Sequence, residues 1–422
     1  MNGIPRAFAA GVASTLVILP AGLVHAQDGI GAPDPTSASA SSGGLGSSRD
    51  QISFRLDARY DSNVPRINDA SAGLSRLDKE DVRISPSVQL DVARTLGRHQ
   101  VGLQAILGYD FYVRNDSLNS ERLQVEPSVF LDLPVCDLTV TGLASRRQSS
   151  LGELVYVGVE PTLGTDNLET RKRIVGQLAC GSQYGLRPTF EVERGSGFNS
   201  NSLRRVADYE TTRVQPGLTY ASPGLGEISI FAFRQDTDLP NQLTLTGQSS
   251  GYSVKGYGLA YRRDIGTRLQ FSGSISQVDV TSDDSVLPSR SGVNGSLELT
   301  LLASERLQFM AYGSREFTST LTGVSTYELS QAYGLTANYA ANQRLRFRVS
   351  GSVSPRRFFY ARDIQGPFIG EQTVYDISGG ASYELNRRIS LTLDAGYQRR
   401  TTDQPIFDYD NVFAQVGLSF SL

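Results

Sequence analysis

Few residues in this 422-residue chain could carry chemistry, and their positions exclude more than they offer. Of two histidines, His25 lies in the apolar N-terminal stretch, which leaves His99, beside Gly97. A Ser–His–acid centre or a His-rich metal site therefore lacks material. "DSNVPRINDASAGLSRLDKED" is rich in acids but lacks the alternating oxygens, glycine and glutamate of a calcium loop, and no phosphate-cradling motif is present. The chain reads as no enzyme, with no cofactor and no metal. Its two cysteines, Cys136 and Cys180, are a different matter. In an exported chain they favour a disulfide over two free thiols.

What the sequence does supply is charge at every second position. In "ISFRLDARYD", Arg55, Asp57, Arg59 and Asp61 alternate with Ile52, Phe54, Leu56, Ala58 and Tyr60. The same alternation singles out Arg83 and Asp91, Asp110, Glu126, Arg213, Arg268, Glu298, then Arg346 and Arg348, Asp376, Glu384 and Asp394. All but three of the 40 basic residues are arginine, whose planar donors suit carboxylates and can stack on sugar rings; wall ion pairs and a biased genome composition would also explain them.

Alternation with period two requires strands with one apolar and one polar face. In "ASYELNRRISLTLDAGYQ", two such runs flank a polar turn, which is a hairpin. Eighteen strands are expected from Gln51 to Leu422. Short turns fall near Gly97, Pro134, Gly185, Gly224, Gly266, Glu305, Asn342 and Arg387. Longer polar links alternate with them, such as Ser62–Lys79, Ser149–Leu168, Thr237–Ser249 and Ala361–Glu371. A propeller has a similar period, but its blades use four short strands, whereas here each period holds two long ones. The expected fold is all-β, a transmembrane antiparallel up-and-down barrel of about 18 strands, its apolar faces toward outer-membrane lipid and its charged faces toward the lumen. Tyr60, Tyr109, Tyr220, Tyr261, Tyr339, Tyr383 and Tyr397 suit interfacial girdles.

The start of the chain gives an address. Arg6, an apolar run and Val24-His25-Ala26 fit a signal peptide over residues 1–26, and Pro20 and Gly22 suit an anchor helix poorly. Residues 27–50, rich in Ser, Gly and Pro, are expected to be a flexible periplasmic lead-in that precedes the barrel at 51–422. The precursor's net charge of -3 implies no nucleic-acid partner.

"YDSNVPR", Tyr60 to Arg66, followed by "DVRISPSVQLDV" and "LQVEPSVFLDLP", resembles the putative β-barrel porin 2 family. The resemblance extends over the barrel and is most specific in its first four strands. It implies a bacterial outer-membrane channel of a kind often associated with exopolysaccharide or capsule loci, and no catalytic residues. The last strand, "NVFAQVGLSFSL", resembles the segment that the barrel-assembly machinery takes up, though it ends in Leu422 where Phe is commonest. Three functions follow: export of an extracellular or capsular polysaccharide beside a periplasmic partner; uptake, with Ser62–Lys79 or Ser149–Leu168 folding inward as an eyelet; or a structural or adhesive barrel with a closed lumen.

Overall fold

The computed structural model describes residues 49–422 except 70–76, 150, 152–154, 158–159, 163–165, 203, 244–248, 284–288, 320–326 and 360–368. The expected signal peptide and most of the lead-in lie outside the described residues.

The alternating runs form one 18-stranded antiparallel sheet. Its strands are β1 (Arg49–Asp61), β2 (Asp81–Leu96), β3 (His99–Tyr112), β4 (Ser120–Asp132), β5 (Cys136–Gln148), β6 (Leu168–Cys180), β7 (Gly185–Asn199), β8 (Tyr209–Ser222) and β9 (Gly226–Leu243). The second half comprises β10 (Ser249–Ile265), β11 (Leu269–Ser282), β12 (Arg290–Ser304), β13 (Leu307–Ser319), β14 (Tyr327–Ala340), β15 (Leu345–Phe359), β16 (Glu371–Glu384), β17 (Ile389–Thr402) and β18 (Tyr409–Ser421). Each strand pairs with its sequence neighbour. β1 also pairs with β18, from Ser53↔Ser421 to Asp61↔Phe413, so the sheet closes on itself and leaves no open edge.

The apolar residues face outward. Phe54 and Leu56 on β1, Leu107 and Phe111 on β3, and Val416 and Leu418 on β18 are large and exposed, as a wall solvated by lipid requires. Tyr375 and Tyr383 sit eight positions apart on the outer face of β16. At ~3.3 Å per residue and ~40° tilt this spans roughly 20 Å, near the height of an outer-membrane apolar band.

Tight turns close the periplasmic end, where Gly97 (φ 65°) and Gly266 (φ 60°) take the left-handed conformation. At the same end Cys136 and Cys180 are register partners of β5 and β6 and are joined as a disulfide. The Ser-Pro strands interrupt their ladders. β2–β3 pairing skips between Ile84↔Phe111 and Ser87↔Gly108, around Pro86, and β4–β5 pairing skips between Val125↔Ala144 and Ser128↔Thr141, around Pro127.

Two expected links differ from the structure. The Thr237–Ser249 link is largely strand, because β9 runs on to Leu243 beyond the lipid band. Within Ser149–Leu168 a short ladder pairs Val155–Val157 with Glu160–Thr162.

Candidate functional site

The register fixes which side chains share the inner face, since residues paired across strands point the same way. Arg55, Asp57, Arg59, Asp61, Arg83, Asp91, Asp110, Glu126, Arg213, Arg268, Glu298, Arg346, Arg348, Asp376, Glu384 and Asp394 all fall on the inward set. Many are locked in the wall. Arg55 Nε donates to Asp57 at 2.8 Å and Arg59 to Asp61 at 2.8 Å, and Arg348 reaches Asp394 at 2.9 Å. Arg83 lies 3.6 Å from Asp110, Arg346 lies 3.1 Å from Glu384, and Glu126 accepts from Gln124. Arg173 on β6 is likewise paired with Glu193 on β7 at 2.7 Å. Such charged pairs neutralise one another, and those of Arg83, Arg173 and Arg346 also tie adjacent strands together. Glu298 faces Tyr312 in the β12–β13 register, Asp91 faces Gln104 in the β2–β3 register, and Arg268 is exposed at a turn.

Two devices occupy the extracellular half. The first is the corner built by "YDSNVPR". Asn63 is buried. Its amide donates to the carbonyls of Ile67 (2.7 Å) and Asp410 (2.9 Å), and its backbone N–H donates to Asn411 (2.9 Å). Val64 packs with Leu118 and Leu151 from the next two loops. The chain then turns through Arg66, the one non-glycine with positive φ (57°) among the described residues. That conformation is unfavourable by about 1 kcal/mol or more outside glycine, so surrounding contacts must hold it. They do: the Arg66 guanidinium donates to Gln398 on β17 at 2.7 Å and to Asp61 at 3.3 Å.

The second device is made by strands and was not foreseen. β11 and β12 pair as far as Val280↔Arg290, and β13 and β14 as far as Ser319↔Tyr327, yet β12–β13 pairing stops at Gly295↔Arg315. The wall therefore splits between β12 and β13. Beyond the split, Phe317, Tyr327 and Phe359 belong to the outward alternation of β13–β15, the set that carries lipid-facing Leu335 and Val349 lower down. They nevertheless pack against inward residues of the other lip: Tyr252 and Tyr327 rings lie 6.0 Å apart, Arg290 stands 4.7 Å over Phe359, and Val254, Val278 and Val280 complete the cluster. The outer face of β13–β15 can meet the inner face of β9–β12 only if the tops of β13–β15 fold into the barrel.

The other face of this flap carries Glu316, Glu328 and Arg356, all buried, with Arg356 and Glu328 forming an ion pair at 2.9 Å. Glu316 comes within electrostatic range of Arg213, which belongs to β8, five strands away around the wall, and stands 4.3 Å over Phe233. Strand ends thus make this closure, while the expected eyelet segments Ser62–Lys79 and Ser149–Leu168 lie in good part outside the described residues. The sequence carries little warning of it, because Phe317, Tyr327 and Phe359 read as ordinary lipid-facing positions. Among the described residues no group of three or more His, Cys, Asp or Glu is placed to hold a metal.

A closed, lipid-faced barrel with a polar, partly filled lumen is the architecture of a porin. Residues 240–422 match the family model Putative beta-barrel porin 2. The match covers the C-terminal part that holds the flap, less than half of the chain, and not the Tyr60–Arg66 motif. No curated protein matches the chain. Among solved structures it is similar to Pseudomonas aeruginosa OccK2 (OpdF), at TM-score 0.46 and 10% identity over 89% of this chain and 97% of that one. It is also similar to the P. aeruginosa outer membrane protein OpdK (0.45, 10%, 89% and 99%) and to Acinetobacter baumannii OccAB3 (0.43, 10%, 89% and 99%). The protein is a closed 18-stranded β-barrel of the bacterial outer-membrane type, and its residues 240–422 are similar to a porin family.

Proposed function

We propose that the barrel is an outer-membrane channel for export of an extracellular or capsular polysaccharide, closed at rest on its extracellular side. The observation that carries this is the difference between the two ends. Among the described residues, the tops of β13–β15 fold inward in the extracellular half and Arg66 of the first loop reaches Gln398, whereas the periplasmic mouth presents exposed arginines such as Arg268 and Arg344. A channel loaded from the periplasm needs attraction at that mouth and a barrier to the outside at the other. An uptake porin needs the reverse, an open outer vestibule that leads to its constriction. In this reading a periplasmic export partner delivers the polymer, and the assembly machinery takes up β18.

A chromosomal deletion tests it. Loss of secreted glycan with unchanged permeability to small hydrophilic solutes supports export. Reduced solute uptake with normal secretion contradicts it and favours an uptake porin. No change in either leaves a structural barrel.

A further inference from the structure

We propose that four arginines on the periplasmic rim form a binding site for an acidic glycan, one that carries carboxylate, sulfate or phosphate groups at regular intervals. This rests on the export reading and names its substrate class. Four turns in the second half of the barrel are built alike, and each places an arginine just before the next strand: Arg268, Arg306, Arg344 and Arg388. In three of them a side chain two residues earlier fixes the turn. Asn342 Oδ1 accepts from the N–H groups of Arg344 (2.8 Å) and Leu345 (2.9 Å), Asn386 Oδ1 from Arg388 (2.8 Å) and Ile389 (3.0 Å), and Ser304 Oγ from Arg306 (3.3 Å) and Leu307 (3.1 Å). The carbonyl of each arginine also accepts from the neighbouring strand, Arg268 from Leu302 at 2.7 Å and the others at 2.8 Å from Ala340, Glu384 and Ser421. The four backbones are therefore anchored at equivalent ladder positions, independently of their side chains.

Those side chains share a direction and a lack of partners. Each continues the inward alternation of its strand, with Gln270, Gln308, Arg346 and Ser390, so it addresses the mouth and not the lipid. All four are exposed, and none is in an ion pair among the described residues. This sets them apart from the inward arginines higher in the wall, Arg55, Arg59, Arg173 and Arg348, each matched to an acid. The acids on the same arc are Asp264, Glu305, Glu384, which is held by Arg346, and Glu227, which faces Arg262 in the β9–β10 register. Against them stand Arg262, Arg263 and Arg387 besides the four, so the arc is positive. Successive members are two strands apart, roughly 10–13 Å along the rim for tilted strands. That spacing suits an extended chain with charge on alternate sugars. Arginine binds such groups through paired N–H donors, and a positive mouth raises the local concentration of polyanion.

The test is binding of oligogalacturonate to the folded mature barrel in zwitterionic detergent, with neutral dextran of equal length as the control. The acidic oligomer should bind, dextran should not, and added salt should weaken binding, because exposed charges are screened within ~10 Å at 0.1 M. Changing Arg268, Arg306, Arg344 and Arg388 together to Gln should weaken binding on the order of ten-fold or more, as four exposed pairs of modest strength would. The same change at Arg114, Arg194, Arg234 and Arg357, exposed arginines away from this rim, should leave it unaltered. Equal binding by the rim variant and wild type overturns the site, as does absence of binding to wild type. Loss of affinity for anionic phospholipid vesicles alone assigns the arginines to the membrane and overturns it too. If the rim binds no acid while the deletion still abolishes secretion, export stands with a neutral polymer.

Discussion

Phe317 and Tyr327 hold the infolded strand ends against the opposite lip, and replacing both with Ser should open the barrel. Tyr327 is fully buried and Phe317 nearly so, with ring centroids 6.2 Å apart. Truncating a buried aromatic costs about 3–5 kcal/mol, and because the two rings touch, their effects add incompletely. A combined loss of about 4 kcal/mol from the closed arrangement, with an open one that never made these contacts, changes the closed-to-open ratio roughly a thousand-fold. The assay is single-channel conductance of refolded protein in planar bilayers. Wild type should be silent or open in rare, brief events, whereas F317S/Y327S should conduct for most of the record. The lower wall is untouched, so heat-modifiable gel mobility should still report a folded barrel. A folded double variant with the same conductance as wild type, whether both silent or both open, would refute the flap as the closure.

Other predictions follow from single contacts. Asn63→Ala removes two buried donor bonds and an acceptor that together hold the first corner, and should lower stability by about 2–4 kcal/mol, read as a fall in the temperature of the heat-modifiable transition. The disulfide closes a separation of 44 residues, so C136S/C180S should lose about 2–4 kcal/mol by the same measure while conductance stays unchanged. Burial raises the pKa of Asp208, in the extracellular link before β8, against the opposing hydrogen bonds from Asn199 and Asn241. A carboxyl that holds its proton more tightly when folded gains stability as pH falls through its folded pKa toward its lower unfolded one. The wild-type transition temperature should therefore rise relative to that of D208N on mild acidification; a difference independent of pH would contradict this.

The sequence makes the barrel legible because a lipid-facing wall enforces strict alternation, and strands such as Ile389–Thr402 could be read residue by residue. The short turns at Gly97 and Gly266 were equally plain, since few residues other than glycine accept their conformation. The inward residues were legible for the same reason, but whether each was free or matched was not. Arg346, Arg348 and Arg344 look alike in sequence, yet the first two are paired and the third is in no ion pair among the described residues. That distinction depends on strand register, which brings Asp394 beside Arg348 from 46 positions away. The flap was hidden because alternation reports which residues share a face, not which medium that face meets. Phe317 and Leu335 belong to the same outward set; one is buried against a second layer of sheet and the other faces lipid.

The most direct test of the account is to lock the flap in living cells and follow secretion. With Tyr252→Cys and Tyr327→Cys, the rings that touch across the split become two thiols that a short bifunctional maleimide can bridge. Polysaccharide should appear outside these cells before cross-linking and stop when the bridge forms, while either single-cysteine strain continues under the same treatment. Secretion that continues at an unchanged rate through a fully cross-linked barrel would contradict it.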